Sequence, residues 1–335
     1  MISFSSDHRI GNRAGASSLP CRRDFLKQGM AVAGASALLA SSPNEAGQKS
    51  GLRPLGDPYG FIDSHVHVWT NDFQHYPISR QFTPQDMVPP TFLPEDILRV
   101  ARRSGVTRVV LIQVRFYGSD NSYMVETIRR MPTVFRGVAV VDWKGSHPDV
   151  EMRELAKHGV RGFRIRAEGP SRATFLEGES IEKMFRCGAQ ERWAICLLLD
   201  PDNLPGLGKR CEQFPETPVV IDHLARIGTT GPLVESNIQM LCALAKYPEV
   251  KVKVSAFYGA GAKRPPHLEL APFIERLYHT FGPQRLMWGS DCPYQVATET
   301  YEDSISLVRD RLNFLSADDK QWLLCKTAEA TFFAG

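Results

Sequence analysis

Two histidines stand one residue apart in Phe61-Ile62-Asp63-Ser64-His65-Val66-His67-Val68-Trp69. In a strand, residues i and i+2 project to the same side. An apolar strand that ends in this pair aims both imidazoles at one place, where a loop opens. Neutral imidazoles gathered there can bind a divalent metal or polarise a carbonyl. A lone pair at this spacing also occurs as two histidines that merely satisfy backbone groups at a strand end. What separates the two readings is whether further polar groups arrive from elsewhere in the chain.

The elements that would bring them are eight short apolar runs, at 61–69, 108–114, 135–142, 160–166, 193–199, 218–222, 250–254 and 285–291. They are nearly continuously apolar rather than alternating, which indicates strands covered on both faces, as in a parallel sheet. Amphipathic segments separate them. One runs from Leu93 with Pro94 near its start and Gly105 as a stop; others span 233–244 and 270–278; Ser316 caps a last helix over 320–332. Eight strand–helix alternations in about 270 residues predict an α/β fold, a (β/α)8 TIM barrel. A doubly wound open sheet is the runner-up. In a barrel all strand ends meet on one face, so Gln113, Arg115, Asp142, Arg164, Arg166, Asp200, His223, Arg226, Ser255 and Asp291 would join His65 and His67. Arg164 and Arg166 share a face and go in or out together, as do Lys251 and Lys253. Asp142 and Glu168 read as loop residues, and Cys292 as a packing residue.

In that order along the chain, three motifs carry a resemblance. They are the His65/His67 pair, Ile221-Asp222-His223-Leu224-Ala225-Arg226, and Trp288-Gly289-Ser290-Asp291-Cys292-Pro293. Together they resemble the amidohydrolase superfamily, and within it the amidohydrolase-related branch of sugar-acid and pyrone-dicarboxylate lactonases and ring decarboxylases. The resemblance spans residues 60 to about 330, and Val160-Arg161-Gly162-Phe163-Arg164 adds to it on the lactonase side. It implies Asp291 as the general base that takes a proton from water and returns it to the leaving group. His223 polarises the carbonyl or holds the water. Arg115, Arg164 and Arg166 grip a carboxylate, with Gln113 and Arg226 as further substrate contacts. His65, His67 and Asp291 are the expected ligands of a zinc or manganese ion, with His223 and Asp200 as additional candidates. Many metal-binding members carry a histidine at the end of the fifth strand; here Leu198-Leu199-Asp200-Pro201 stands there. Some lactonases of the branch work without metal, so a metal-free mechanism stays open. The tail Cys325-Lys326-Thr327-Ala328-Glu329-Ala330 also lacks an asparagine common in the family. The expected activity is hydrolysis of a small, carboxylated lactone or ester. The alternatives are metal-dependent non-oxidative decarboxylation, and a degenerate binding member without activity.

The ends of the chain carry a different signal. Arg22-Arg23-Asp24-Phe25-Leu26-Lys27 precedes a small-residue apolar run, Gly29 to Ala40. The run is too short for a span of about 20 apolar residues. It resembles a twin-arginine export leader, so the twin-arginine export machinery is an expected partner and the location periplasmic or extracytoplasmic. The reading divides the chain into a leader over 1–46, a linker over 47–59 and a catalytic domain over 60–335. The formal charge of +3 lies wholly in residues 1–42, which hold five basic and two acidic side chains. The remainder is balanced, which argues against nucleic acid as a partner. Beyond Cys21, six scattered cysteines with no Cys-x-x-Cys pair make no disulfide framework. That suits a cargo that folds in a reducing compartment before export. Barrel enzymes of this size often pair, so a homodimer is expected.

Overall fold

A computed structural model describes residues 52–166, 174 and 176–334. Eight strands follow one another: β1 (Phe61–Val66), β2 (Val106–Ile112), β3 (Phe135–Ala139), β4 (Val160–Arg166), β5 (Ala194–Leu198), β6 (Val219–Ile221), β7 (Val250–Ser255) and β8 (Leu286–Gly289). After each comes a helix: α1 (Pro94–Ala101), α2 (Ser122–Arg130), α3 (Pro148–Ala156), α4 (Glu179–Glu191), α5 (Leu204–Gln213), α6 (Glu235–Ala243), α7 (Ala271–Phe281) and α8 (Tyr301–Ser306). The strands form one sheet in the order β1 to β8, and each sequential pair is parallel. A doubly wound sheet would reverse direction partway, so the strand order removes that alternative.

β8 meets β1 and closes the barrel through a few bonds rather than a full ladder. Ser64 Oγ donates to the Trp288 carbonyl at 2.6 Å, Asp291 N to the His65 carbonyl at 2.9 Å, and His67 N to the Cys292 carbonyl at 2.8 Å. Gly289 permits the approach, because a Cβ there would stand 2.8 Å from His65 Cβ. The Asp63 carboxylate fastens the same seam, accepting from His65 N at 3.1 Å, Ser290 N at 2.9 Å and the Tyr301 hydroxyl at 2.8 Å. Burial pushes its pKa up to about 6 in spite of those bonds.

Side-chain alternation sorts each strand into two layers. Phe163 and Ile165 of β4 join the outer apolar layer beneath the helices, while Arg164 and Arg166 point into the barrel. The lower interior is apolar, with Ile62, Val110, Val138, Ala194, Val220 and Met287 in one cluster. After α9 (Ala317–Gln321), the chain continues through wide helical turns at Trp322–Lys326 and Glu329–Phe333. These seat Phe332 against that cluster and close the barrel floor. The expected single helix over 320–332 is thus correct in place, but it starts at Ala317 and is wound more widely.

Strand ends fall short of the sequence reading in two informative places. β3 stops at Ala139 and β8 at Gly289, not at Asp142 and Asp291. In both, the chain leaves the sheet to form the loops of the upper face. The twin-arginine-like segment and Glu168 lie outside the described residues.

Candidate active site

His65 is fully buried at the end of β1, where the pairing with β2 changes register between Asp63 and Val66. Its Nε2 lies 3.6 Å from Asp291 Oδ1, and His67 Nε2 lies 3.3 Å from the same oxygen. His67 Nδ1 donates to the Ile112 carbonyl at 2.8 Å, which fixes its ring and leaves the Nε2 lone pair facing Asp291. Asp291 itself sits at φ 65°, a left-handed conformation that a non-glycine residue adopts only at a cost. Its Oδ2 accepts from the Tyr258 hydroxyl at 2.7 Å.

His223 opens a four-residue left-handed turn, with φ between 53° and 56° from His223 to Arg226. Each such residue costs roughly 1–2 kcal/mol relative to the right-handed form. The turn lifts His223 off β6 to within 3.9 Å of Asp291 Oδ2, while its Nδ1 pairs with Ser255 Oγ at 2.9 Å. Burial lowers the His223 pKa to about 4, so its ring is neutral at pH 7. Burial would raise the Asp291 carboxyl, but the imidazoles of His223, His67 and His65 override it and hold the group below the usual carboxylate range.

Beneath this layer lies a second, charged one. Asp222 is fully buried between Arg164 Nε at 3.1 Å and Lys253 Nζ at 3.2 Å. Burial opposes its ionisation, and the two cations more than compensate, keeping it a carboxylate. Burial and the Lys253 charge push the His65 pKa well below its ordinary value.

Above, a cavity of ≈ 390 Å³ opens on Asp291, His67 and His223, with Arg115, Arg164, Arg166 and Arg226 also in its walls. That volume suits a small molecule. Tyr258 and Tyr294 line it as well. The eight expected positions His65, His67, His223, Asp291, Arg115, Arg164, Arg166 and Arg226 therefore gather at one place, with His65 just behind the wall.

Two expected site residues do not join them. Gln113 spends its amide on the backbone carbonyls of Asp120 and Gly118, so it holds the loop after β2 and does not line the cavity. Asp200 pairs with Arg226 at 3.1 Å and lies outside the cluster of metal-capable groups, while Leu198 lines the cavity at the end of β5. Asp200 is thus no substitute for the histidine that many metal-binding members carry. Conversely, Asp222, Lys253 and Tyr258 were not assigned roles from sequence. Asp222 was visible as a carboxylate directly after an apolar strand. Tyr258 follows a strand end by three residues, which carries no signal in sequence.

Among the described residues, His65, His67 and Asp291 form a group whose ligand atoms all lie within 4.8 Å of one another. His65 Nε2 and Asp291 Oδ1 are buried with no hydrogen-bond partner. Two imidazoles and a carboxylate with orphaned atoms converging on one point fit a divalent cation.

The family model described as Amidohydrolase matches residues 62–334. A 4-sulfomuconolactone hydrolase of Rhizobium radiobacter is 30% identical over 241 residues, which is 71% of this chain and 77% of the relative. Among solved structures, one from Pseudomonas putida, assigned as a 2-pyrone-4,6-dicarboxylic acid hydrolase, superposes with a TM-score of 0.70 at 26% identity. It covers 82% of this chain and 97% of its own. A zinc-bound amidohydrolase from Burkholderia multivorans shares the fold with a TM-score of 0.68 at 20% identity, over 82% of this chain and 99% of its own.

Proposed function

We propose that this chain, which belongs to the amidohydrolase family and is a hydrolase, opens the ring ester of a small carboxylated lactone. One observation carries the reading: a single cavity is lined by an ionised aspartate, two histidines and four arginines. The lactone hydrolases among the relatives favour ring opening over decarboxylation.

The chemistry follows from the groups present. Arginines in the wall fix a substrate carboxylate through charge-assisted hydrogen bonds and so orient the ring. Asp291, kept ionised by the surrounding imidazoles, accepts a proton from water as the water oxygen bonds to the ring carbonyl carbon. With the Ser255 hydroxyl donating to His223 Nδ1, the ring proton of His223 sits on Nε2, where it can stabilise the oxyanion. The ring C–O bond then breaks, and Asp291 returns its proton to the leaving oxygen. Tyr258 holds the second carboxylate oxygen, so Asp291 presents the same oxygen throughout. A divalent ion, zinc or manganese, would be held by His65, His67 and Asp291 and would supply Lewis-acid charge to the carbonyl and acidity to water.

The test is a panel of carboxylated lactones assayed by acid release, with gas evolution monitored in parallel. Ring opening is expected, and Asp291→Asn should lower turnover about 10²–10⁴-fold with an unchanged melting temperature. Evolution of CO2 without acid release would replace the reading with decarboxylation, and full activity in Asp291→Asn would remove Asp291 from the mechanism. Export through the twin-arginine machinery to the periplasm is proposed on the leader motif alone.

A further inference from the structure

Lys253 is fully buried inside the barrel, two residues from the upper end of β7. Its Nζ lies 3.1 Å from His65 Nδ1 and 3.2 Å from Asp222 Oδ1, and 5.6 Å from the centre of the Phe332 ring below. Nζ thus stands between a buried carboxylate and an imidazole, and a lysine ammonium offers three donors and no acceptor. At 3.1 Å, then, His65 Nδ1 accepts. A neutral imidazole has one ring proton, so that proton sits on Nε2. Nε2 is the atom that faces Asp291 Oδ1 at 3.6 Å, and it is also the atom whose lone pair a cation would need.

The two histidines of the pair differ on this point. Metal-binding histidines usually donate their second ring N–H to a carboxylate or a carbonyl, which frees the other nitrogen for the ion. His67 follows the pattern through the Ile112 carbonyl. His65 could follow it only by donating from Nδ1 to Asp222 Oδ1, which is farther off at 3.5 Å, and that would point an N–H at the ammonium.

We propose that Lys253 is a positioning residue that holds His65 in the Nε2–H form. His65 thereby directs a donor at Asp291. The His65/His67/Asp291 group accepts a divalent cation only when that proton moves from Nε2 to Nδ1, where it faces the positive charge of Lys253 one layer below. Lys253 thus sets the cation affinity of the group, whatever substrate the cavity takes.

The test reads tautomer and affinity rather than turnover. In metal-free full-length protein with ¹⁵N-labelled histidine, long-range ¹H–¹⁵N correlation should show His65 with Nε2 protonated and Nδ1 bare. The signals are assigned by their loss in His65→Gln. A wild-type His65 protonated at Nδ1 overturns the proposal without any Lys253 variant. Lys253→Met removes the donor while keeping an apolar contact for Phe332. It should move the proton to Nδ1 and tighten Zn²⁺ binding, measured by calorimetry, by about tenfold or more. Loss of mere packing would leave affinity equal or weaker. Unchanged or weaker Zn²⁺ binding in a folded Lys253→Met protein therefore also overturns it, and if that variant does not fold, the wild-type tautomer decides alone.

Discussion

The Asp291 carboxylate and the His223 imidazole face each other in one buried layer, 3.9 Å apart, and burial acts on the charge of both. His223 stays neutral because burial outweighs the attraction of Asp291. The consequence for stability has a definite sign. Between the free imidazole value near 6.5 and the folded value of about 4, the unfolded chain binds a proton that the folded chain refuses. Stability therefore falls as pH drops through that window, by about 3 kcal/mol from this group when the window is fully crossed. Urea unfolding at pH 7.5 and pH 4.5 should show a smaller difference in His223→Gln than in the wild type. An equal difference would place the protonated group elsewhere.

At the scale of elements, β4 shows how a strand divides labour along one face. Arg164 and Arg166 project to the same side, yet they answer to different partners. Arg164 is buried against Asp222, whereas Arg166 is only half-buried in the cavity wall. Arg164→Met leaves Asp222 with a single cation and should cost about 3–5 kcal/mol of stability. Arg166→Met should instead raise KM for a carboxylated lactone about tenfold or more, with a near-normal melting temperature. Steady-state kinetics beside thermal melts distinguish the two; equal losses of stability would collapse the distinction. The barrel floor gives a second test. Phe332→Ala opens a void beneath Lys253 in a buried apolar cluster and should cost about 3–5 kcal/mol in urea unfolding. The tail that supplies it does so without the asparagine usual in the family, which fits a packing role for this segment.

For the whole molecule, the charge divides between a balanced body and a basic first 42 residues, the stretch on which the export proposal rests. If the leader directs export, replacing Arg22 and Arg23 by lysines preserves charge but removes the paired guanidinium groups. Periplasmic activity should then fall with a matching rise in the cytoplasm, as measured by fractionation. Undiminished export would assign delivery to another signal. The body, by contrast, should fold and act without residues 1–46.

What was legible in sequence is what local pattern encodes. Eight nearly continuous apolar runs separated by amphipathic segments predict a parallel barrel, and a barrel brings His65, His67, His223 and Asp291 to one face wherever they lie in the chain. The cavity arginines were legible for the same reason. Gln113 and Asp200 were misread because a strand-end position says that a side chain is near the upper face, not which neighbour claims it. Each is claimed, one by loop carbonyls and one by Arg226. Strand ends were overrun at Asp142 and Asp291 because departures from the sheet depend on contacts with distant segments, which no local window contains: Asn121 holds the chain beyond β3 at Val140, and the seam between β1 and β8 holds Asp291. The buried charges mark the same limit. By itself the sequence determined that Lys251 and Lys253 share a face. Only the tertiary structure decided that Lys253 lies between His65 and Asp222, because the state of a buried charge is set by the few atoms within about 4 Å, and those come from β1, β4, β7 and the residue that follows β6.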